Sequence, residues 1–192
     1  MAYTGQIIQN PVSGETIEFL KTSADTGGEL LEFELTLTPD GHVPGAHVHP
    51  EQEERFHVLE GEMTFRLGAR KIVAGPGETV TVPAGRVHKF ANKSGAPVKA
   101  RVEVVPALDM EDLLTTTAEL AIEGNTNRKG MPKPLHLALF VRRFEREVRA
   151  PFPPPAVVNA LMAPLAAIGR LRGHAERYAP AASAPALVPV PA

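Results

Sequence analysis

Apolar and polar residues alternate through the first hundred positions of the chain. Leu31, Phe33, Leu35 and Leu37 alternate with Glu32, Glu34 and Thr36, the period-two pattern of a strand with one buried face. Short strands are expected across residues 5–38, separated by turns at Asn10-Pro11, Ser13-Gly14 and Gly27-Gly28. Further strands are predicted at about 53–60, 62–67, 71–74, 79–82, 87–91 and 98–105, with glycine or proline in nearly every gap. Many short strands with this punctuation predict an all-β barrel.

After Pro106 the period changes. Asp109 is placed to cap a helix running to about Ile122, with Asp112 in its first turn. Gly124 to Pro134 is a polar, basic loop. Leu137, Val141, Phe144 and Val148 then recur at spacings of four, three and four, a helical stripe. Prolines at 151 and 153–155 interrupt it. Another helix is predicted over about 155–172, with Val158, Leu161, Leu165 and Ile168 on one side and Pro164 as a kink point. From Ala179 the chain is mostly alanine and proline without charge, a composition expected to be disordered. The predicted organisation is a β-barrel over 1–107, a helical appendage over 108–178 and a tail over 179–192. No internal repeat is visible.

Composition narrows the chemistry. A net charge of −2 argues against general nucleic-acid binding. The absence of cysteine removes disulfides and thiolate metal sites, so any metal must be held by nitrogen and oxygen. The N-terminus lacks a basic start followed by an apolar run, which makes a cytoplasmic location the expectation.

The candidate chemistry lies between Gly41 and Asn92. Five residues separate Gly41 from His47-Val48-His49; four more lead to Glu54 and six to Gly61. Later, five residues separate Gly77 from Pro83-Ala84-Gly85; two lead to His88 and three to Asn92. His47 and His49 share one face if extended, and Pro50 should end that strand. If these strands pair around a small barrel, three imidazoles and a carboxylate converge inside it, a ligand set for a first-row divalent ion. Glu53 competes with Glu54 as the carboxylate; the distance to Gly61 favours Glu54 and turns Glu53 outward. His57 should point to the opposite face and pack against a helix or a second subunit. His42 falls in the preceding loop, and His136 and His174 lie in the appendage.

These two segments resemble the two motifs of the cupin superfamily at every specified position. The short gap from Gly61 to Gly77 resembles that of compact single-barrel bacterial cupins, and the likeness is strongest over about residues 30–106. Gln52-Glu53-Glu54-Arg55-Phe56 and Gly75-Pro76-Gly77-Glu78 resemble the quercetin-dioxygenase-like branch. The resemblance implies a double-stranded β-helix (jelly-roll) barrel. It implies His47, His49, Glu54 and His88 as ligands to Fe, Mn, Ni or Zn, and a homodimer.

The expected function is a metal-dependent enzyme acting on a small organic molecule, foremost a dioxygenase-type oxidoreductase, with Glu54 as the group able to move a proton. An isomerase, cyclase or lyase would use the same site, and a non-enzymatic ligand-binding barrel is the third alternative. Phe56, Val58, Met63, Phe65 and Phe90 are the inward candidates for a substrate pocket. An apolar lining suits an aromatic or aliphatic substrate, although such residues can equally fill a small barrel. Residues 128–149 carry seven Lys/Arg against two Glu. Packing of these helices on the barrel or across a dimer is favoured over an interfacial membrane helix.

Overall fold

The computed structural model describes residues 2–179. The predicted tail lies outside the described residues, apart from Ala179. The strands are β1 (Ile7–Asn10), β2 (Glu15–Lys21), β3 (Leu31–Leu37), β4 (Glu53–Glu60), β5 (Met63–Leu67), β6 (Arg70–Ala74), β7 (Thr79–Val82), β8 (His88–Asn92) and β9 (Val98–Val105). They form a six-stranded sheet in the order β1-β2-β3-β9-β4-β7 and a three-stranded sheet in the order β6-β5-β8. All pairings are antiparallel, so the barrel is of jelly-roll type.

Alternation decides which side chains fill it. Leu31, Phe33, Leu35 and Leu37 on β3 are buried, as are Val98, Ala100, Val102 and Val104 on the adjacent β9. Phe56 of β4 bridges the sheets: its ring centroid lies 5.1 Å from both Phe65 of β5 and Phe90 of β8. Each such side chain contributes about 1.5–3 kcal/mol by leaving water. Gly61 turns β4 into β5 with a φ of +74°, and a Cβ there would lie 2.7 Å from the Pro97 carbonyl. Only glycine meets both conditions without strain. Asn92 is buried and fastens its surroundings, donating to the carbonyls of Leu37, Thr38 and Ala96.

The appendage consists of α1 (Met110–Ile122), α2 (Pro134–Arg143) and α3 (Pro155–Leu171), followed by a short 3₁₀ turn at Glu176–Tyr178. Met110, Leu113, Leu139, Phe140 and Phe144 join the buried core of the barrel. Ser23 donates through its backbone N–H and its hydroxyl to the buried Glu111 carboxylate, tying α1 to the loop after β2.

Two local expectations are corrected. Asp109 does not cap α1 with its side chain; its carboxylate instead accepts from Arg143 at 2.7 Å. The helical stripe through Val148 is also shorter than its spacing suggests. α2 stops at Arg143 because the chain beyond it turns and becomes extended, pairing Arg149 with Val48. Several basic residues of this region are committed to acceptors, Arg143 to Asp109 and Asp112 and Arg146 to Glu51. Among the described residues no helix is long and apolar enough to cross a membrane.

Candidate metal centre and its cavity

Residues 42–49 form isolated bridges rather than a regular strand. Along one side they follow β8: His42 faces Ala91, and His47 exchanges two 2.9 Å backbone hydrogen bonds with His88. Along the other side Val48 exchanges two 2.9 Å bonds with Arg149. The histidine segment is therefore the middle of three extended segments, the third supplied by the appendage. Gly85, at a φ of +74°, donates its N–H to the His49 carbonyl at 2.8 Å and sets the turn into β8. Glu54, second in β4, points inward with Phe56 and Val58. Glu53 points outward to Arg55, 2.7 Å away.

The three imidazoles share one hydrogen-bonding arrangement. Nδ1 lies 3.0 Å from the Gly45 carbonyl in His47, 2.5 Å from the Glu147 carbonyl in His49 and 3.0 Å from the Arg86 carbonyl in His88. A carbonyl only accepts, so each Nδ1 carries the proton and each neutral ring keeps its Nε2 lone pair free. The histidine donor atoms lie within 4.8 Å of one another. Glu54 Oε2 approaches His88 Nε2 at 3.0 Å and His49 Nε2 at 3.3 Å. All three atoms are buried without a hydrogen-bond partner. Lone pairs thus face lone pairs at a point removed from water, an arrangement that requires a proton or a cation to be favourable.

The electrostatics agree. Burial, with His49 and His88 close by, pushes His47 down to about 3. Burial also opposes charge on His49, yet the Glu54 carboxylate beside it carries that imidazole upward. Burial would raise Glu54, but His49 and His88 reverse the effect and hold its carboxyl well below the usual range. One proton shared between His49 and Glu54 can take the place of a cation, and a metal would displace it. Three neutral nitrogens and one carboxylate oxygen, with Nδ1 atoms fixed by carbonyls, fit a first-row divalent ion.

His47, His49 and Glu54 open into a cavity of about 420 Å³. Its walls are mainly apolar and come from both the barrel and the appendage, including Phe33, Phe56, Phe90, Phe140 and Met162. Of the five pocket residues expected from alternation, Phe56 and Phe90 line the cavity. Val58, Met63 and Phe65 do not: they are 1%, 0% and 0% exposed and fill the barrel. Parity places a side chain inside the barrel but cannot tell its open end from its packed end. His57 is partly exposed within the chain, its Nδ1 2.9 Å from the Thr79 hydroxyl. His136 is buried, its Nδ1 3.0 Å from the Tyr178 hydroxyl.

Besides the Gly45 and Arg86 carbonyls, three further contributors to the site escape sequence reasoning. Glu147 and Arg149 act through backbone groups, which leave no residue-type signal. Glu15 lines the cavity, and its signal was available: it shares parity on β2 with the buried Ile17 and Phe19.

Residues 33–105 match the family model for the cupin domain. No functionally curated protein sequence matches the chain. Among solved structures, a polyketide cyclase from Streptomyces resistomycificus is 30% identical, covering 49% of this chain and 66% of that one with a TM-score of 0.43. The TT1209 protein from Thermus thermophilus is 29% identical, covering 41% of this chain and 74% of that one with a TM-score of 0.39. A predicted oxalate decarboxylase from Thermotoga maritima is 20% identical, covering 54% and 92% with a TM-score of 0.48. The motif spacing, the jelly-roll order of the strands and the match over residues 33–105 together make this segment a cupin domain.

Proposed function

We propose that the protein is a metal-dependent enzyme acting on a small, mainly apolar organic molecule, and that its reaction is a dioxygenase-type oxidation. One observation carries this reading: the partnerless lone pairs of His49, His88 and Glu54, with His47 beside them, meet at the wall of an apolar cavity. His47, His49, His88 and Glu54 would hold Fe, Mn, Ni or Zn. When bound, a redox-active ion of that set would supply Lewis-acid and electron-transfer chemistry toward dioxygen and the substrate. The carbonyls of Gly45, Glu147 and Arg86 aim the imidazoles. Phe56 and Phe90 exclude water beside them and favour an aromatic or aliphatic body. Glu54, kept ionised by its imidazole neighbours, would be able to accept a substrate proton if its carboxylate detached from the ion. The segment Gln52–Phe56 supports the quercetin-dioxygenase-like branch through its resemblance alone.

Metal analysis of freshly purified protein, combined with oxygen uptake on a panel of aromatic hydroxy compounds, tests the proposal. Substrate-dependent oxygen consumption that needs a redox-active ion is the expected result. Turnover with zinc and no oxygen consumption would transfer the site to isomerase, cyclase or lyase chemistry. Ligand binding without turnover, preserved in His49→Ala, would make the protein a binding module. Homodimerisation belongs to the same reading. The apolar side chains exposed along α3, Val157, Leu161, Ile168 and Leu171, support a second copy as partner, which light scattering would test.

A further inference from the structure

We infer that Glu15, with Ser13 behind it, is a second recognition group in the cavity, selecting ligands that carry a hydroxyl on an apolar body away from the metal-binding end. The inference builds on the reading of the cavity as the substrate site.

The placement is specific. Glu15 opens β2, pairs with Asn10 on β1 and Leu37 on β3, and lines the same cavity as His47, His49 and Glu54. In the six-stranded sheet β2 is separated from β4 by β3 and β9, so the two carboxylates stand on different parts of the wall. The lining side chains Phe56, Phe33, Leu35 and Ile17 lie on strands of that same sheet, between the one carboxylate and the other. The wall therefore reads as carboxylate, apolar track, carboxylate. A ligand that follows it meets the metal ligands at one end and Glu15 at the other.

Glu15 is also chemically prepared for this role. The Ser13 hydroxyl donates to Oε2 at 2.5 Å, and the Asn10 side-chain oxygen, which accepts from the Val12 and Ser13 N–H groups, fixes the turn that carries Ser13. Among the described residues no lysine or arginine pairs with Glu15; His42 is the titratable group whose charge it feels. A carboxyl group bound on one oxygen, facing an apolar cavity and lacking a cation, has hydrogen-bonding capacity left for a guest. A guest hydroxyl donating to the carboxylate would use that capacity. The same group offers a reason for an aromatic alcohol to be preferred over the bare hydrocarbon, because a site built to hydrogen-bond an OH rejects the analogue lacking it.

The test uses 2-naphthol and naphthalene with the full chain. The protein contains no tryptophan, so naphthol fluorescence reports binding directly, and calorimetry serves for both ligands. Wild-type protein should bind 2-naphthol about fivefold to tenfold more tightly than naphthalene, the range of one net hydrogen bond. Glu15→Leu should erase the preference while still binding naphthalene, and Glu15→Gln should retain part of it. Absence of the preference in wild type, its survival in Glu15→Leu, or failure of either ligand to bind would overturn the inference. A preference lost in Glu54→Ala but kept in Glu15→Leu would place recognition at the metal centre instead. Unchanged metal content in Glu54→Ala would remove Glu54 from the ligand set while leaving the Glu15 result to stand or fall separately.

Discussion

His49 and Glu147 lie ninety-eight positions apart in the chain and meet at 2.5 Å, the imidazole Nδ1–H donating to the backbone carbonyl. One residue before His49 and two after Glu147, Val48 and Arg149 exchange a pair of backbone hydrogen bonds. The appendage thereby enters the candidate metal centre without contributing a ligand. It aligns a segment that β8 holds along only one edge, and it closes the cavity over the same histidines.

Arg149→Pro tests this coupling. Proline removes the N–H that donates to the Val48 carbonyl and loosens the Glu147 carbonyl behind His49. Metal affinity should weaken about tenfold to a hundredfold, the usual cost of losing an outer partner of a ligand histidine. Arg149→Ala keeps the backbone bonds and should remain close to wild type. Titration with a chromophoric competitor measures both.

The two neighbouring glutamates should separate cleanly. Glu54 is buried against His49 and His88, whereas Glu53 is paired with Arg55 on the outer face. Glu54→Ala should purify with far less metal, and Glu53→Ala should retain the wild-type stoichiometry. Elemental analysis of the two proteins, prepared in parallel, decides it.

The aromatic cluster divides between support and binding. Phe65 is fully enclosed and absent from the cavity wall, while Phe90 belongs to that wall. Phe65→Ala should cost about 3–5 kcal/mol of stability, as a large-to-small change in a packed core does, and denaturant unfolding would register it. Phe90→Leu preserves most of the apolar contact and should register chiefly in ligand affinity, read by calorimetry with 2-naphthol.

Stability should also depend on pH through Glu15. Burial raises this carboxyl above its ordinary value, against the pull of Ser13 and His42. A carboxyl raised in the folded state binds its proton more tightly there than when unfolded. Its stabilising contribution is therefore greatest below the unfolded value of about 4.5 and is lost as pH rises through the folded one. Glu15→Gln removes that loss. The variant should melt higher than wild type at about pH 7 to 8, and the difference should shrink toward about pH 4. A constant offset across that window, followed by scanning calorimetry, would show that the group does not titrate with folding.

Much of the barrel was legible because its signals are local. The alternation from Leu31 to Leu37 depends on neighbours two positions apart, and the glycine at 61 marks its own turn. Such patterns placed the strands from β3 to β9 within a residue or two of their observed bounds. The helical stripe from Leu137 to Val148 was misleading for the same reason: its spacing is helical, but the last residues are recruited by Val48, a partner the local pattern does not contain. Val58, Met63 and Phe65 show the complementary failure, since inward parity is local and the position of the cavity is not.

By itself the sequence determined the strand periods, the turns and the order of four ligand-type residues, all properties of short stretches of chain. Only the tertiary structure decided that Glu147 orients His49, that Glu15 shares a cavity with Glu54, and that the appendage roofs the barrel. These are contacts between distant segments, and backbone carbonyls and cavity walls carry no residue-type signature from which they could be foreseen.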